Sequence, residues 1–259
     1  MKTLKVIKIG GNIINNEDSL LTFLKGFSSL KGPKILVHGG GKLASDLSNK
    51  LNIPVQLIDG RRVTNAETLD IITMVYAGKI NKNIVAKLQS FGCNSVGFSG
   101  ADGNTIIANK RSETPINYGF AGDVVKVNIE VPKYLLNNNI ANIFSAISHD
   151  NKGQLLSTNA DTIASELAIA FSKNYKVELY YCFEKKGVLQ SINDENSVIK
   201  KINNKSYIEL KESNIINEGM IPKLDNCFYA LDHHVSKVCI GHPTMLFDHH
   251  SNFTTIQKL

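Results

Sequence analysis

Cysteine is scarce in this 259-residue chain, and its spacing joins no two of its members. Cys93, Cys182, Cys227 and Cys239 stand far apart with no CxxC motif, which argues against a disulfide framework or a cysteine zinc site. Isolated thiols suit a reducing compartment, so the expected location is the cytoplasm. Long apolar runs are missing too. Nothing approaches the ~18 residues of a membrane span, and Lys5 and Lys8 break the apolar start MKTLKVIKIGG, which reads as a strand and not as a signal peptide. Aromatic residues make up only 7%, and basic pairs such as Lys185–Lys186 and Lys200–Lys201 are short, so no nucleic-acid partner is expected. Arginine is the rarest base. Three of the 29 basic residues are Arg, and two of these, Arg61 and Arg62, are adjacent. The net charge of +6 leans toward an anionic ligand but serves solubility equally well.

What is present is enough apolar residue for a large core, 42%, arranged as alternating strand-like and helix-like stretches. That alternation predicts an α/β chain with a mostly parallel sheet. LKVIKI (4–9), KILV (34–37), SVGFS (95–99), NIFSAIS (142–148), VELYYCF (177–183) and KVCIG (237–241) read as strands. TIIAN and VVKVN read as a hairpin excursion. EDSLLTFLKGFSSL (17–30) is helical by its spacing of Leu20, Phe23, Leu24, Phe27 and Leu30. Thr64–Glu67 fits a capping box that opens a long helix to about Leu88, with Leu69, Ile72, Tyr76, Ile80 and Ile84 near one stripe. A lobe boundary is expected near residue 174.

Two glycine junctions carry the chemistry. In ILVHGGGKLASDL (35–47) a strand runs into three glycines and a helix, a backbone suited to holding phosphate. Gly39, Gly41 and Ala44 fit G-x-G-x-x-A, with Asp59 at about the dinucleotide spacing, so an NAD(P)-binding oxidoreductase stands as a rival. The P-loop pattern fails for want of a first glycine and of a Ser/Thr after Lys42. A plain packing turn is the bland alternative. The second junction, Lys8-Ile9-Gly10-Gly11, ends the first strand. Two neighbouring strands finishing in glycine turns suit a phosphoryl group passing between two ligands better than a single pyrophosphate.

Other motifs are weaker alone. Thr158–Asp161 is a plain helix-capping signature, and Gly219–Lys223 is another turn into a helix, with proline near its first turn. Paired arginines matter where a carboxylate needs a bidentate partner. The C-terminal His233, His234, His242, His249 and His250 fit no zinc template, so no metal site is expected of them.

Taken in order, KIGGN (8–12), VHGGG (37–41), GRRVT (60–64), FSGADG (98–103), GQLLSTNAD (153–161), KGVL (186–189) and EGMIPK (218–223) resemble the amino-acid kinase family, and within it the acetylglutamate kinases. The resemblance covers nearly the whole chain. It implies an open, mainly parallel α/β/α sandwich, with an N-acylglutamate lobe over 1–174 and an ATP lobe over 175–259. It also implies a homodimer built on the long helix after Thr64. The implied reaction is ATP-dependent phosphorylation of the side-chain carboxylate of N-acetyl-L-glutamate, in arginine biosynthesis. N-succinyl-L-glutamate is an alternative acceptor, and a non-catalytic amino-acid sensor is a further alternative.

By the same resemblance, Lys8 would neutralise the moving phosphoryl group, Lys223 the leaving oxygen, and Asp161 would orient both lysines. Gly10, Gly11, Gly40 and Gly41 would line the phosphoryl path. Arg62 would grip the substrate α-carboxylate, with Ser157 and Asn159 beside it. Glu184, Gly187, Leu189, Ile216, Asn217 and Gly219 would border the nucleotide, and Mg2+ would ride on the ATP phosphates. Ser157 stands where the family usually has Asn, Ala101 where it often has Lys, and FEKKG (183–187) replaces the usual nucleotide loop. Arginine-sensitive relatives carry an extra N-terminal helix, whereas here a strand begins by Leu4, so arginine insensitivity is expected.

Overall fold

Alternation along the first strand decides how the chain is layered. In the computed structural model, which describes residues 1–258 except 59–60, 217–219 and 249, TLKVIKI sends Leu4 and Val6 into one core and Ile7 and Ile9 into another. The two-residue period of a strand does this, and it turns Lys8 toward the same face as Leu4 and Val6.

In chain order the strands are β1 (Thr3–Ile9), β2 (Lys34–His38), β3 (Leu57–Ile58), β4 (Arg61–Arg62), β5 (Ser95–Phe98), β6 (Ile106–Lys110), β7 (Gly122–Val127), β8 (Ala141–Ser145), β9 (Ile147–His149), β10 (Leu155–Ser157), β11 (Lys176–Cys182), β12 (Lys201–Ile202), β13 (Lys237–Gly241) and β14 (Thr254–Ile256). The helices are α1 (Gly11–Asn15), α2 (Glu17–Ser29), α3 (Gly41–Lys50), α4 (Ala66–Thr73), α5 (Asn81–Ser90), α6 (Glu130–Asn137), α7 (Ala160–Phe171), α8 (Asn204–Glu212) and α9 (Ile221–Asp232). The main sheet has the order β12-β14-β13-β11-β1-β2-β8-β5. Its pairs are parallel except β13 with β14. A second sheet, β10-β9-β6-β7, contains the expected hairpin as the antiparallel pair β6–β7.

One core lies under α6, α7, α8 and α9, with Leu136, Ile163, Leu167, Phe171, Leu210 and Leu224 buried against the sheet. The other holds Phe23, Leu24 and Phe27 of α2 and Ile72, Ile80 and Ile84 of the long helix. Each large side chain so buried contributes about 1.5–3 kcal/mol. The result is an α/β/α sandwich with β1 near its centre. Among the described residues no helix is long and apolar enough to cross a membrane.

Three local details differ from the sequence reading. NIFSAIS is two strands, because the chain leaves the main sheet at Ala146 and joins the second as β9. The long helix is capped by Asn65, which accepts from Thr68 N at 2.8 Å, while Thr64 bridges to Gly119. Likewise Asn159, not Thr158, caps α7; the Thr158 hydroxyl is buried against Ser148 Oγ at 2.7 Å.

The long helix also solves a problem of pitch. Ile72, Tyr76, Ile80, Ile84 and Leu88 recur every fourth residue, and all are buried. An α-helix drifts by ~40° over each such interval, so Leu88 would lie ~160° round from Ile72. Met74–Ile80, between α4 and α5, is instead π-helical. Its i-to-i+5 hydrogen bonds put more residues in each turn and absorb the drift.

Asn81, where the π segment ends, ties this helix to the sheet. Its buried amide donates to Ile143 O at 2.9 Å and to His38 Nε2 at 3.0 Å. His38 Nδ1–H in turn donates to Gly39 O at 2.9 Å, so the network calls for neutral imidazole. Burial pushes this histidine down to about 4 from the ordinary 6.5. The unfolded chain therefore takes up a proton first as the pH falls. The contribution to stability is complete above pH 6.5 and is lost as pH drops toward 4, a change of about 3 kcal/mol. Denaturant midpoints of the wild type should fall more steeply across this window than those of His38→Gln. Parallel slopes would show that His38 does not set the acid limb.

Candidate active site

Four elements end at one place. β1 and β2 are neighbouring parallel strands, so their carboxyl ends open side by side, with Gly10–Gly11 after one and Gly39–Gly41 after the other. Helix α7 starts over the same edge behind its Asn159 cap, whose Oδ1 accepts from Asp161 N at 2.7 Å and Thr162 N at 3.3 Å. Helix α9 packs beside α7 and carries Lys223 in its first turn, after Pro222. Between them is a cleft of about 1050 Å³.

At its floor Asp161 bridges two lysines. Lys8 Nζ lies 2.7 Å from Oδ1 and Lys223 Nζ 2.6 Å from Oδ2, and all three side chains keep 15–16% exposure. Oδ2 takes an aligned hydrogen bond from Lys223, whereas Oδ1 faces Lys8 as an ion pair without that alignment. Burial alone would raise the Asp161 carboxyl. The two ammonium groups outweigh burial and hold it well below the usual carboxylate range. Its place in the first turn of α7 also suits a negative charge. Burial pulls Lys8 below the ordinary lysine value, helped by Lys223 and opposed by Asp161. The triad therefore carries one net positive charge facing the cleft.

Tyr181 supports it. Opposite Lys8 in the β1–β11 register, Tyr181 donates its hydroxyl to Asp161 O at 3.0 Å, and Lys223 Nζ sits 5.2 Å from its ring centroid. This fully buried tyrosine was not legible as a site residue; the signal was its parity with Val177 and Leu179 on the Lys8 face of the sheet.

The cleft is also lined by arginine. Arg61, Arg62 and Arg111, all the arginines of the chain, line it. Arg62 Nη2 donates to Gly41 O at 2.9 Å and Ser45 Oγ at 2.7 Å. Its Nη1 is buried with no hydrogen-bond partner among the described residues, a donor suited to a ligand oxygen. Arg111 is held in a bidentate pair with Asp123 and lies 5.4 Å from the Tyr118 ring centroid. It was not singled out from sequence, although the rarity of arginine marked it.

Lys8, Gly11, Gly40, Gly41, Arg62, Ser157, Asn159, Asp161 and Lys223 all line this cleft. Gly40 must be glycine for lack of room: a Cβ there would fall on Ile80 Cδ1 and lie 2.8 Å from Tyr76 Cδ1. The Gly10 N–H donates to Cys182 O at 3.0 Å and joins β1 to β11. Glu184, Gly187, Leu189 and Ile216 are not among the lining residues. Glu184 is exposed, Leu189 bridges to Val198, and Ile216 is in the core. Gly187 is buried where a Cβ would come 2.7 Å from Thr254 Oγ1. Asn217 and Gly219 lie outside the described residues, as does Asp59, on which the dinucleotide alternative leaned.

Comparison with known proteins agrees with this geometry. Residues 3–242 match the model of the amino acid kinase family. An acetylglutamate kinase of Cytophaga hutchinsonii is 54% identical over 241 residues, 93% of this chain and 91% of its own. One of Methanopyrus kandleri is 34% identical over 88% of this chain and 91% of its own. Among solved structures, smu.665 of Streptococcus mutans superposes with a TM-score of 0.81 at 26% identity, covering 98% of each chain. The names of these relatives give no support to a dinucleotide-binding oxidoreductase or to a succinylated acceptor. The chain belongs to the amino acid kinase family.

Proposed function

We propose that this protein phosphorylates the side-chain carboxylate of N-acetyl-L-glutamate with ATP, giving N-acetylglutamyl 5-phosphate in arginine biosynthesis. The observation that carries the reading is the Asp161 carboxylate holding Lys8 and Lys223 together in a cleft that Arg62 also lines. In the reaction a carboxylate oxygen of the acceptor attacks the γ-phosphorus. The new O–P bond forms as the β–γ bridge breaks, and its electron pair leaves on ADP. Two anions must approach each other, and the nucleophile, with a reference pKa of about 4.3, is already ionised at neutral pH. No general base is needed. Positive charge and fixed donors along the line of transfer are what the site must supply.

Lys8, at the end of β1, neutralises the moving phosphoryl group, and Lys223 the charge that develops on the leaving oxygen. Asp161 keeps the two ammoniums apart by a fixed distance while reducing their mutual repulsion. Arg62 Nη1 takes the α-carboxylate of the acceptor, with Ser157 and Asn159 beside it. Glu184, Gly187, Leu189, Ile216, Asn217 and Gly219 serve the adenosine end in this reading, with the acceptor lobe over 1–174 and the nucleotide lobe over 175–259. Magnesium, bound to the nucleotide's phosphates, would offset part of their charge. The buried free thiols support a cytoplasmic location. A homodimer through the long helix belongs to the same reading, supported by Met74 exposed on that helix and Val96 on the edge strand β5.

Hydroxylamine should trap an acyl phosphate from N-acetylglutamate in an ATP- and magnesium-dependent way. Absence of hydroxamate would remove the assignment and favour a non-catalytic sensor. Lys8→Ala and Lys223→Ala should each lower kcat by roughly 10²–10³. Asp161→Asn should depress kcat more than thermal stability; a lower Tm with kcat intact would mean that Asp161 only supports the helix start. Because Lys8 must be charged and burial lowers its pKa, activity should decline with rising pH before the ordinary lysine range is reached. A pH profile flat through that range would contradict the role given to Lys8.

A further inference from the structure

His38 is fully buried at the end of β2, yet both of its ring nitrogens are hydrogen-bonded. The direction of this chain of bonds is fixed by its two ends, because a backbone carbonyl can only accept. Ile143 O in β8 requires the nitrogen of the Asn81 amide, so Nδ2 also faces His38 Nε2 and donates to it. Gly39 O likewise requires a proton on His38 Nδ1. A ring protonated at Nδ1 keeps a lone pair on Nε2, as the Asn81 bond demands, and burial keeps it neutral. Asn81 is itself fully buried and uses both of its amide protons here.

The chain of bonds ends on the peptide that joins Gly39 to Gly40, in the turn that lines the cleft. That peptide is trans, so its C=O and N–H point in opposite directions. Holding the carbonyl against a buried imidazole turns the Gly40 N–H away from that side. Gly40 is buried, and among the described residues its N–H donates to no backbone carbonyl. Helix α7 begins close by: a Cβ on Gly39 would lie 3.7 Å from Ala160 Cβ, next to Asp161. We propose that His38 and Asn81 are positioning residues for phosphoryl transfer, tying the Gly39–Gly40 peptide to β8 so that the Gly40 N–H stays aimed at the moving phosphoryl group. Glycine has no side chain to steady this turn, and a donor free to swing would lose the advantage of preorganisation. The proposal deepens the functional reading above and rests on it.

The test compares His38→Leu with His38→Asn by kcat, KM for ATP and for N-acetylglutamate, and Tm. The two replacements have nearly the same shape, but Asn carries an amide nitrogen where histidine has Nδ1–H, and Leu a methyl group. Both leave Asn81 without its acceptor, so both should lower Tm. Only His38→Leu should lose the donor to Gly39 O, with kcat down roughly tenfold or more and both KM values little changed. His38→Asn should recover most of that loss. Equal kcat in the two variants, or a loss confined to KM, overturns the proposal. A second test needs no variant. In NMR spectra of isotope-labelled histidine, the wild type should show a ring protonated at Nδ1. Its Nδ1–H signal should move when MgADP, aluminium fluoride and N-acetylglutamate bind together. That combination mimics the moving phosphoryl group, and a Gly40 N–H drawn to it polarises the carbonyl of its own peptide. An Nε2–H tautomer or an unmoved signal overturns the proposal. A wild type that makes no acyl phosphate overturns the functional reading and this proposal together; an active wild type beside an unaffected His38→Leu overturns this proposal alone.

Discussion

One carboxylate shared by two ammonium groups organises this molecule. Lys8 comes from the central strand, Lys223 from α9 and Asp161 from α7, three elements that have no local reason to meet. Burying any one of these charges alone would be costly. Burying three in contact is possible because each partner compensates another, and because the cleft leaves them partly open to solvent. The depressed carboxyl pKa is the mark of that compensation. The arrangement keeps one positive charge in excess of neutrality, and it is poised for a multiply charged anion.

The fold makes the meeting possible by parity and by parallel pairing. Lys8 faces α7 because strand residues alternate, and β1 and β2 end in step because they run parallel. Glycine then allows both chains to turn at the edge. After β2 the close approach of Tyr76 and Ile80 leaves room for nothing larger at Gly40. The same edge thus gathers the Lys8–Asp161–Lys223 triad and Arg62 around one cleft, positive charge of the kind that a transfer between two anions calls for.

Much of this was legible in the sequence, because glycine turns and strand alternation report directly on where the backbone bends and which face is buried. The pairs Gly10–Gly11 and Gly40–Gly41 stood out together, and the whole set of motifs located Lys8, Asp161 and Lys223, though none of the three is distinctive alone. The helix caps were misread by one residue at Thr64 and Thr158, because an adjacent Asn caps equally well and Thr158 found a buried partner instead. The π turn was invisible because apolar spacing of four reports which residues are buried and not how the backbone keeps them there. Tyr181 and Arg111 drew no notice. Their roles depend on partners that only the tertiary structure brings near.

The most direct measurement is a crystal structure with N-acetylglutamate and a non-hydrolysable ATP analogue bound together. The account predicts that Lys8 and Lys223 Nζ both lie within about 3.2 Å of phosphate oxygens flanking the γ-phosphorus, while Asp161 still touches both. The acceptor side-chain carboxylate should lie in line with the β–γ bridge, and its α-carboxylate on Arg62. A γ-phosphate bound away from the two lysines, or Asp161 released from either of them, would contradict it.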